Sequence, residues 1–243
     1  EENRMERKLR VPSEAVYIIA ITLLSLGVAM TAAADFGVSM IVAPPYILSL
    51  RFDFISFGRG EYIVQALLFV LFCAVMKGFR LPYLFSFATC IIYGAVLDVW
   101  RAVLPLLDPT RTAPGSMDMP VRIALFAAGA LLTAFAVALG FNTYLPPQVN
   151  DMFVKGVSGR YGISLSKFKT AFDLSFFVLA LVMSLAFFGG IRGIGIGTVL
   201  VTPVNGTAIG LFDKLFRSRM QPRPLFPRFA RLFDCTEKSE KNT

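Results

Sequence analysis

The stretch Gly189-Gly190-Ile191-Arg192-Gly193-Ile194-Gly195-Ile196-Gly197-Thr198, continued by Val204-Asn205-Gly206-Thr207-Ala208-Ile209-Gly210, decides the fold class. At helical spacing Gly189, Gly193 and Gly197 fall four apart, as do Gly206 and Gly210, and residues four apart share a helix face. In water each interior glycine costs about 1 kcal/mol relative to alanine. Inside a bilayer the backbone must satisfy its own hydrogen bonds, so a helix is imposed regardless. A glycine face then lets a second helix approach closely. The stretch therefore predicts a membrane helix spanning 191–216 that packs through Gly189, Gly193, Gly197, Gly206 and Gly210.

The rest of the chain agrees with a membrane setting. Of 243 residues 56% are hydrophobic, with 24 Phe and a mean hydropathy of +0.65, whereas soluble domains are about 45–50% apolar. The apolar residues come in blocks of about 20, enough to cross about 30 Å of hydrocarbon. Blocks at 15–34, 60–76, 81–104, 120–140, 169–188 and 191–216 predict six spans. They divide the chain into an N-terminus (1–14), a first three-helix unit (15–107), a polar linker (108–119), a second three-helix unit (120–216) and a basic tail (217–243).

Most of the 24 Lys and Arg fall at the two ends, in the 77–80 link and in the 151–167 loop. The positive-inside rule makes that side cytoplasmic, with both termini on it. The linker is then outside. No cleavable leader is expected, because the first apolar block is too long and lacks a small-residue cleavage motif. Basic and aromatic residues alternate in the tail, Arg228-Phe229 and Arg231-Leu232-Phe233 included, which suits an anionic leaflet and makes membrane lipid an expected partner.

The two units also match each other. Ile55-Ser56 recurs as Ile163-Ser164, and in that register Arg59 meets Lys167, Glu61 meets Lys169 and Gln65 meets Asp173. Each unit has a Pro-Pro interruption, Pro44-Pro45 and Pro146-Pro147. Three spans per unit is an odd number, so the second unit enters the membrane inverted. The expected fold is all-α: six transmembrane helices as two inverted three-helix repeats with Pro-Pro-interrupted or re-entrant segments. Inverted repeats with broken helices are the layout of many secondary transporters.

The chain resembles the YczE/YyaS/YitT family of bacterial integral membrane proteins. The resemblance is carried by Gly193-Ile194-Gly195-Ile196-Gly197-Thr198-Val199, by Arg160-Tyr161-Gly162-Ile163-Ser164, and by the Pro147 to Asp151 run. It spans nearly all of 13–216. It implies a six-span protein of the bacterial cytoplasmic membrane and supplies no settled biochemistry.

Ionisable residues inside spans are costly and are functional candidates by default. Glu61 and Gln65 lie four apart on one helix face, as do Lys169 and Asp173. Together they predict a polar site between the units; the plainer alternative is an i,i+4 ion pair for Lys169–Asp173 and a headgroup position for Glu61. Asp98 and Arg101 read as an interfacial pair beside Trp100. Asn205, mid-span beside Pro203, either binds a solute or ties two helices.

The Pro44-Pro45 and Pro146-Pro147 stretches, with Asp151 following, point to a pathway, since irregular backbone at membrane depth survives only inside protein or beside water. Helices starting there would aim partly positive N-termini inward, favouring an anionic solute. The alternative is a pair of surface loops.

The chain has no His, and its three Cys have no metal spacing. No nucleophile–base pair stands out, so neither an enzyme nor a metal or cofactor is expected. Gly193-x-Gly195-x-Gly197 lacks the Lys and the βαβ setting of a nucleotide loop. The net charge of +8 sits at helix ends and in the tail, so nucleic acid is not an expected partner. A small solute carried between the repeats is the leading expectation, a non-conducting scaffold or accessory protein the alternative. A homo-oligomer stays open.

Overall fold

A computed structural model describes residues 9–79, 81–108 and 117–227. The N-terminal residues 1–8, most of the linker (109–116) and the tail from 228 on, with Arg228, Phe229, Arg231 and Phe233, lie outside the described residues.

The first half holds α1 (Ser13–Ala33), α2 (Ala43–Arg51), α3 (Phe57–Val75) and α4 (Leu81–Val103), then a 3-10 turn at Pro105–Leu107. The second holds α5 (Met119–Phe141), α6 (Val149–Tyr161), α7 (Leu165–Phe188) and α8 (Ile196–Arg219). Both halves thus run long, short, long, long. Two short strands, β1 (Leu9–Pro12) and β2 (Met220–Arg223), pair in parallel outside the helices. Among the described residues five helices are long and apolar enough to cross a membrane: Ser13–Ala33, Phe57–Val75, Tyr83–Val103, Met119–Phe141 and Leu165–Phe188. The helix α8 is 24 residues long but is not among them; it carries Asn205, Asp213, Lys214 and Arg217 among its apolar residues.

Helices α1 and α5 form the central pair, and they are antiparallel. Arg122, at the start of α5, donates to the Ala34 and Asp35 carbonyls just past α1, each at 3.0 Å. Just past α5, the Tyr144 hydroxyl donates to Glu14 in the first turn of α1 at 2.6 Å. The crossing is made through Gly27 and Gly129. A Cβ on Gly27 would sit 2.6 Å from Thr133 Oγ1 and 2.8 Å from the Gly129 carbonyl. One on Gly129 would sit 2.8 Å from the Gly27 carbonyl and 3.0 Å from Thr31 Cγ2. The contacts are reciprocal: each Gly meets the other helix's Gly and the Thr four residues beyond it.

The expected helix through the glycine-rich stretch is not what forms. Gly189 ends α7 in the left-handed region (φ 64°), and Gly193 is left-handed again (φ 73°). Two such residues break the helical path, so Gly189, Gly193 and Gly197 share no face. Ser184 holds the turn instead: its hydroxyl lies 2.9 and 3.0 Å from the Gly190 and Arg192 carbonyls and accepts the Arg192 N–H at 2.7 Å. Helix α8 starts only at Ile196. Gly197, in its first turn, donates its N–H to the Phe36 carbonyl at 2.9 Å, and a Cβ there would strike the Phe126 ring. A Cβ on Gly206 or Gly210 would meet nothing within 4 Å, so these two do not pack against this chain.

A further expectation is corrected. Asp98 does not pair with Arg101. Its carboxylate accepts the Ser56 hydroxyl at 2.5 Å and the Gly58 N–H at 2.9 Å, capping α3. Arg101 instead pairs with Asp108 at 2.6 Å. Asp98 and Arg101 both lie beside Trp100, whose indole N–H donates to the Thr22 carbonyl of α1 at 3.2 Å.

Candidate functional site

The short helix α2 packs on α3, and the short helix α6 packs on both α3 and α7. In α2, Pro44 and Pro45 lie in the first turn, where their missing N–H groups leave no helix bond unmade. The Pro45 carbonyl lies so close to Gly60 of α3 that a Cβ there would come to 2.5 Å. In the second half Pro146 and Pro147 precede Gln148, the N-cap of α6. The Pro146 carbonyl lies 3.1 Å from Thr89 Oγ1 of α4, and that hydroxyl also bonds the Tyr17 hydroxyl of α1. At its other end, Arg160 and Tyr161 bond the Met76 and Val75 carbonyls at the end of α3. Helix α6 thus lies along the second half of α3, its N-terminus level with the middle of that helix. Ile41, ahead of α2, and Val149, opening α6, pack in one apolar cluster with Leu68, Phe72, Phe172 and Phe176.

A polar cluster sits where these ends meet. Ser56 and Ser164 are the N-caps of α3 and α7, so the register read from sequence falls on matching helical positions. Glu61 is 2% exposed and Gln65 not at all, which places Glu61 inside the protein rather than among headgroups. Gln65 Nε2 donates to Glu61 Oε2 at 3.0 Å and to Gln148 Oε1 at 3.3 Å. Glu61 Oε1, Gln65 Oε1 and Gln148 Nε2 are buried without a hydrogen-bond partner. Such orphaned atoms are costly and mark a site waiting for a donor, an ion or water. Across from Glu61, Cys90 of α4 approaches its carbonyl at 3.9 Å, and Tyr93 is buried beside it.

Lys169 and Asp173 form a different arrangement. Lys169 Nζ lies 3.6 Å from Asp173 Oδ1, with the lysine side chain 47% and the aspartate side chain 12% exposed. Asp151, in the first turn of α6, is near enough for its charge to act on Asp173. The start of α6 thus reaches α3 through Gln148 and Gln65. Asn205 belongs to neither group. It lines a small, partly open hollow between α1, α5 and α8 with Thr31, Ser39 and Thr133, with a cavity volume of about 10 Å³, room for about one water, its Oδ1 buried and unpartnered.

The polar cluster holds residues that sequence reasoning passed over, Gln148, Thr89 and Tyr17. One signal pointed to Gln148: an amide directly after Pro146-Pro147, where a helix must begin. Nothing in the periodicity marks Thr89 or Tyr17, whose pairing is long-range. Among the described residues no group of three or more Cys, Asp or Glu could hold a metal ion.

The comparison with known families falls on this same length of chain. A family model described as "Family of unknown function (DUF6198)" matches residues 11–214, from within β1 through most of α8. The chain belongs to DUF6198. That match covers both halves and every residue of the cluster. No curated protein and no solved structure matches the chain.

Proposed function

We propose that this DUF6198 protein carries a small solute across a bacterial cytoplasmic membrane, along a path between its two halves that passes Glu61, Gln65 and Gln148. The observation that carries this reading is the buried cluster itself: three unpartnered polar atoms inside the protein, where the short helix α6 begins. Membrane proteins place substrate sites at such interruptions.

The reading includes six crossings in two inverted repeats. Its support is the matching long-short-long-long order, the reciprocal Gly27/Gly129 crossing of antiparallel α1 and α5, and the β1–β2 pair. That pair brings the start of α1 and the end of α8 to one face. Five crossings would leave the two ends on opposite faces, which supports counting α8 as a sixth. The basic bias of that face makes it cytoplasmic. Kinship with the YczE/YyaS/YitT group rests on the Gly193–Val199 and Arg160–Ser164 motifs. The anionic solute suggested by helix N-termini is disfavoured here, because the side chain facing the site is a carboxylate.

A second reading, a non-conducting scaffold that packs against a partner or a second copy, is favoured by one feature: Gly206 and Gly210 open outward on α8, and such a face accepts a neighbouring helix.

Proteoliposome swelling with a panel of small neutral, cationic and anionic solutes tests the choice. At least one solute is expected to enter faster than into protein-free vesicles. Gln65→Leu is expected to slow it at least about fivefold, the order of one lost hydrogen bond to a charged group. Identical swelling with and without protein across the panel would hand the function to the scaffold reading.

A further inference from the structure

Glu61 differs from every other acidic group in the described helices that lies this deep. Among the described residues no basic side chain pairs with it, and the one hydrogen bond it accepts from a side chain there comes from the neutral amide of Gln65. The groups around it bring no cation. Helix α4 contributes Cys90 and Tyr93, and α6 contributes the Gln148 amide. Helix α2 contributes the backbone of Pro45. From α1, Tyr17 reaches only Thr89. On α3 itself Arg59 is turned to the Phe54 carbonyl and Tyr62 to the Ile91 carbonyl. A carboxylate so placed must be paired or neutralised, since an isolated buried charge is not tolerated.

The matching position on α7 shows the other solution. There Lys169 stands where α3 has Glu61, and Asp173 where α3 has Gln65, and the lysine ammonium sits 3.6 Å from the aspartate. The second half carries a tethered cation beside its carboxylate. The first half has a carboxylate and an amide oxygen, Glu61 Oε1 and Gln65 Oε1, both buried and free, and no tethered cation.

We propose that Glu61 and Gln65, closed over by Gln148, form a binding site for one positive charge, held alternately as a proton and as a small monovalent cation. One carboxylate balances one charge, so the cation is monovalent, either an alkali ion or the ammonium group of a solute. The exchange balances: the cation enters as the Glu61 proton leaves. This deepens the transport reading and rests on it for its purpose, but the binding step is measured without flux.

The experiment is equilibrium titration of the purified full chain in nanodiscs, followed by thermal unfolding. NaCl, LiCl and methylammonium chloride are compared with choline chloride at constant ionic strength, between pH 6 and pH 8. At least one small cation is expected to raise the midpoint saturably while choline, too large for the site, does not. Its apparent Kd is expected to weaken toward tenfold per pH unit on the acid side, with about one proton released per cation bound. The nearly isosteric Glu61→Gln is expected to abolish both the saturable shift and the proton release.

An alkali-only response makes the charge an inorganic coupling ion, and a methylammonium-only response makes it the solute's own; both uphold the site. Binding without proton release in the wild type, an unchanged response in Glu61→Gln, or no saturable response to any small cation would overturn it. The proton count is read on the wild type, so a poorly folding variant does not spoil the test. Cation binding with these properties beside a silent swelling assay would retire the transport reading and leave the site standing.

Discussion

Helices α3 and α7 start from the same pattern, a serine N-cap followed by two polar residues four apart on an apolar helix, and end in different surroundings. Helix α3 packs directly on α4: Gly58 and Gly94 meet so closely that a Cβ on either would clash with the other's carbonyl. Asp98 of α4 reaches back to cap α3. Helix α8, which should answer to α4, packs on α5 instead, and its glycines at 206 and 210 face open space. Both carboxylates are buried, but Glu61 on α3 has no basic neighbour among the described residues, while Asp173 on α7 has its own half-exposed lysine 3.6 Å away. The difference teaches that, between two buried carboxylates, the residue four positions away decides whether the helix neutralises its own charge or leaves it to bind something.

The sharpest way to break the comparison is to load the two glycine faces. Gly58→Leu is expected to abolish folding, because its side chain would have to occupy the space of the Gly94 backbone; overpacking alone costs about 1–3 kcal/mol and backbone cannot yield as a side chain does. Gly206→Leu is expected to stay within about 0.5 kcal/mol of wild type, as surface changes do. Yield and monodispersity in detergent read both. Equal damage from the two would show that α8 is covered by something, a second copy being the first candidate.

A smaller effect compares the caps. Asp98→Ala removes a charged acceptor from the Ser56 hydroxyl and the Gly58 N–H, and is expected to cost about 2 kcal/mol. Ser164→Ala, at a helix start where no side-chain cap bond forms, is expected to cost less than about 0.5 kcal/mol. Chemical unfolding midpoints in one micelle system decide between them.

The smallest effect belongs to Lys169→Ala. Its ion pair with Asp173 is long and the lysine half exposed, so the pair should contribute only about 0.2–0.5 kcal/mol. A larger loss of stability would mean that Asp173 is more deeply committed than its exposure indicates.

Much of this architecture could be read in the chain before any coordinates. Apolar blocks of membrane length announce themselves by composition, and all five described helices long and apolar enough to cross a membrane fall on them. The Ser56/Ser164 register was legible because caps and polar residues recur at fixed spacing from each other. The Pro-Pro runs marked where helices begin, since proline forbids their continuing from further back. Glycine spacing misled at 189–197, because four-residue intervals look alike whether a helix runs through them or two left-handed residues interrupt it. What separates the cases is Ser184, a hydroxyl on the preceding helix that satisfies the turn's backbone, and nothing in its neighbourhood predicts that. Asp98 was misassigned for a related reason: Arg101 is its neighbour in sequence, but Ser56 and Gly58 are its neighbours in space.

The β1–β2 pair has a consequence for how the molecule is made. Its two strands, Leu9–Pro12 and Met220–Arg223, are separated by the entire helical bundle, and Glu14 accepts the N–H groups of Leu225 and Phe226 beside them. During synthesis the N-terminal strand emerges first and has no partner until α8 has been translated. Pairing over so long a stretch of chain is slow and comes late. The clasp therefore closes only after the helices between its strands have been made, and a chain arrested before Met220 would leave Leu9–Pro12 as an open edge.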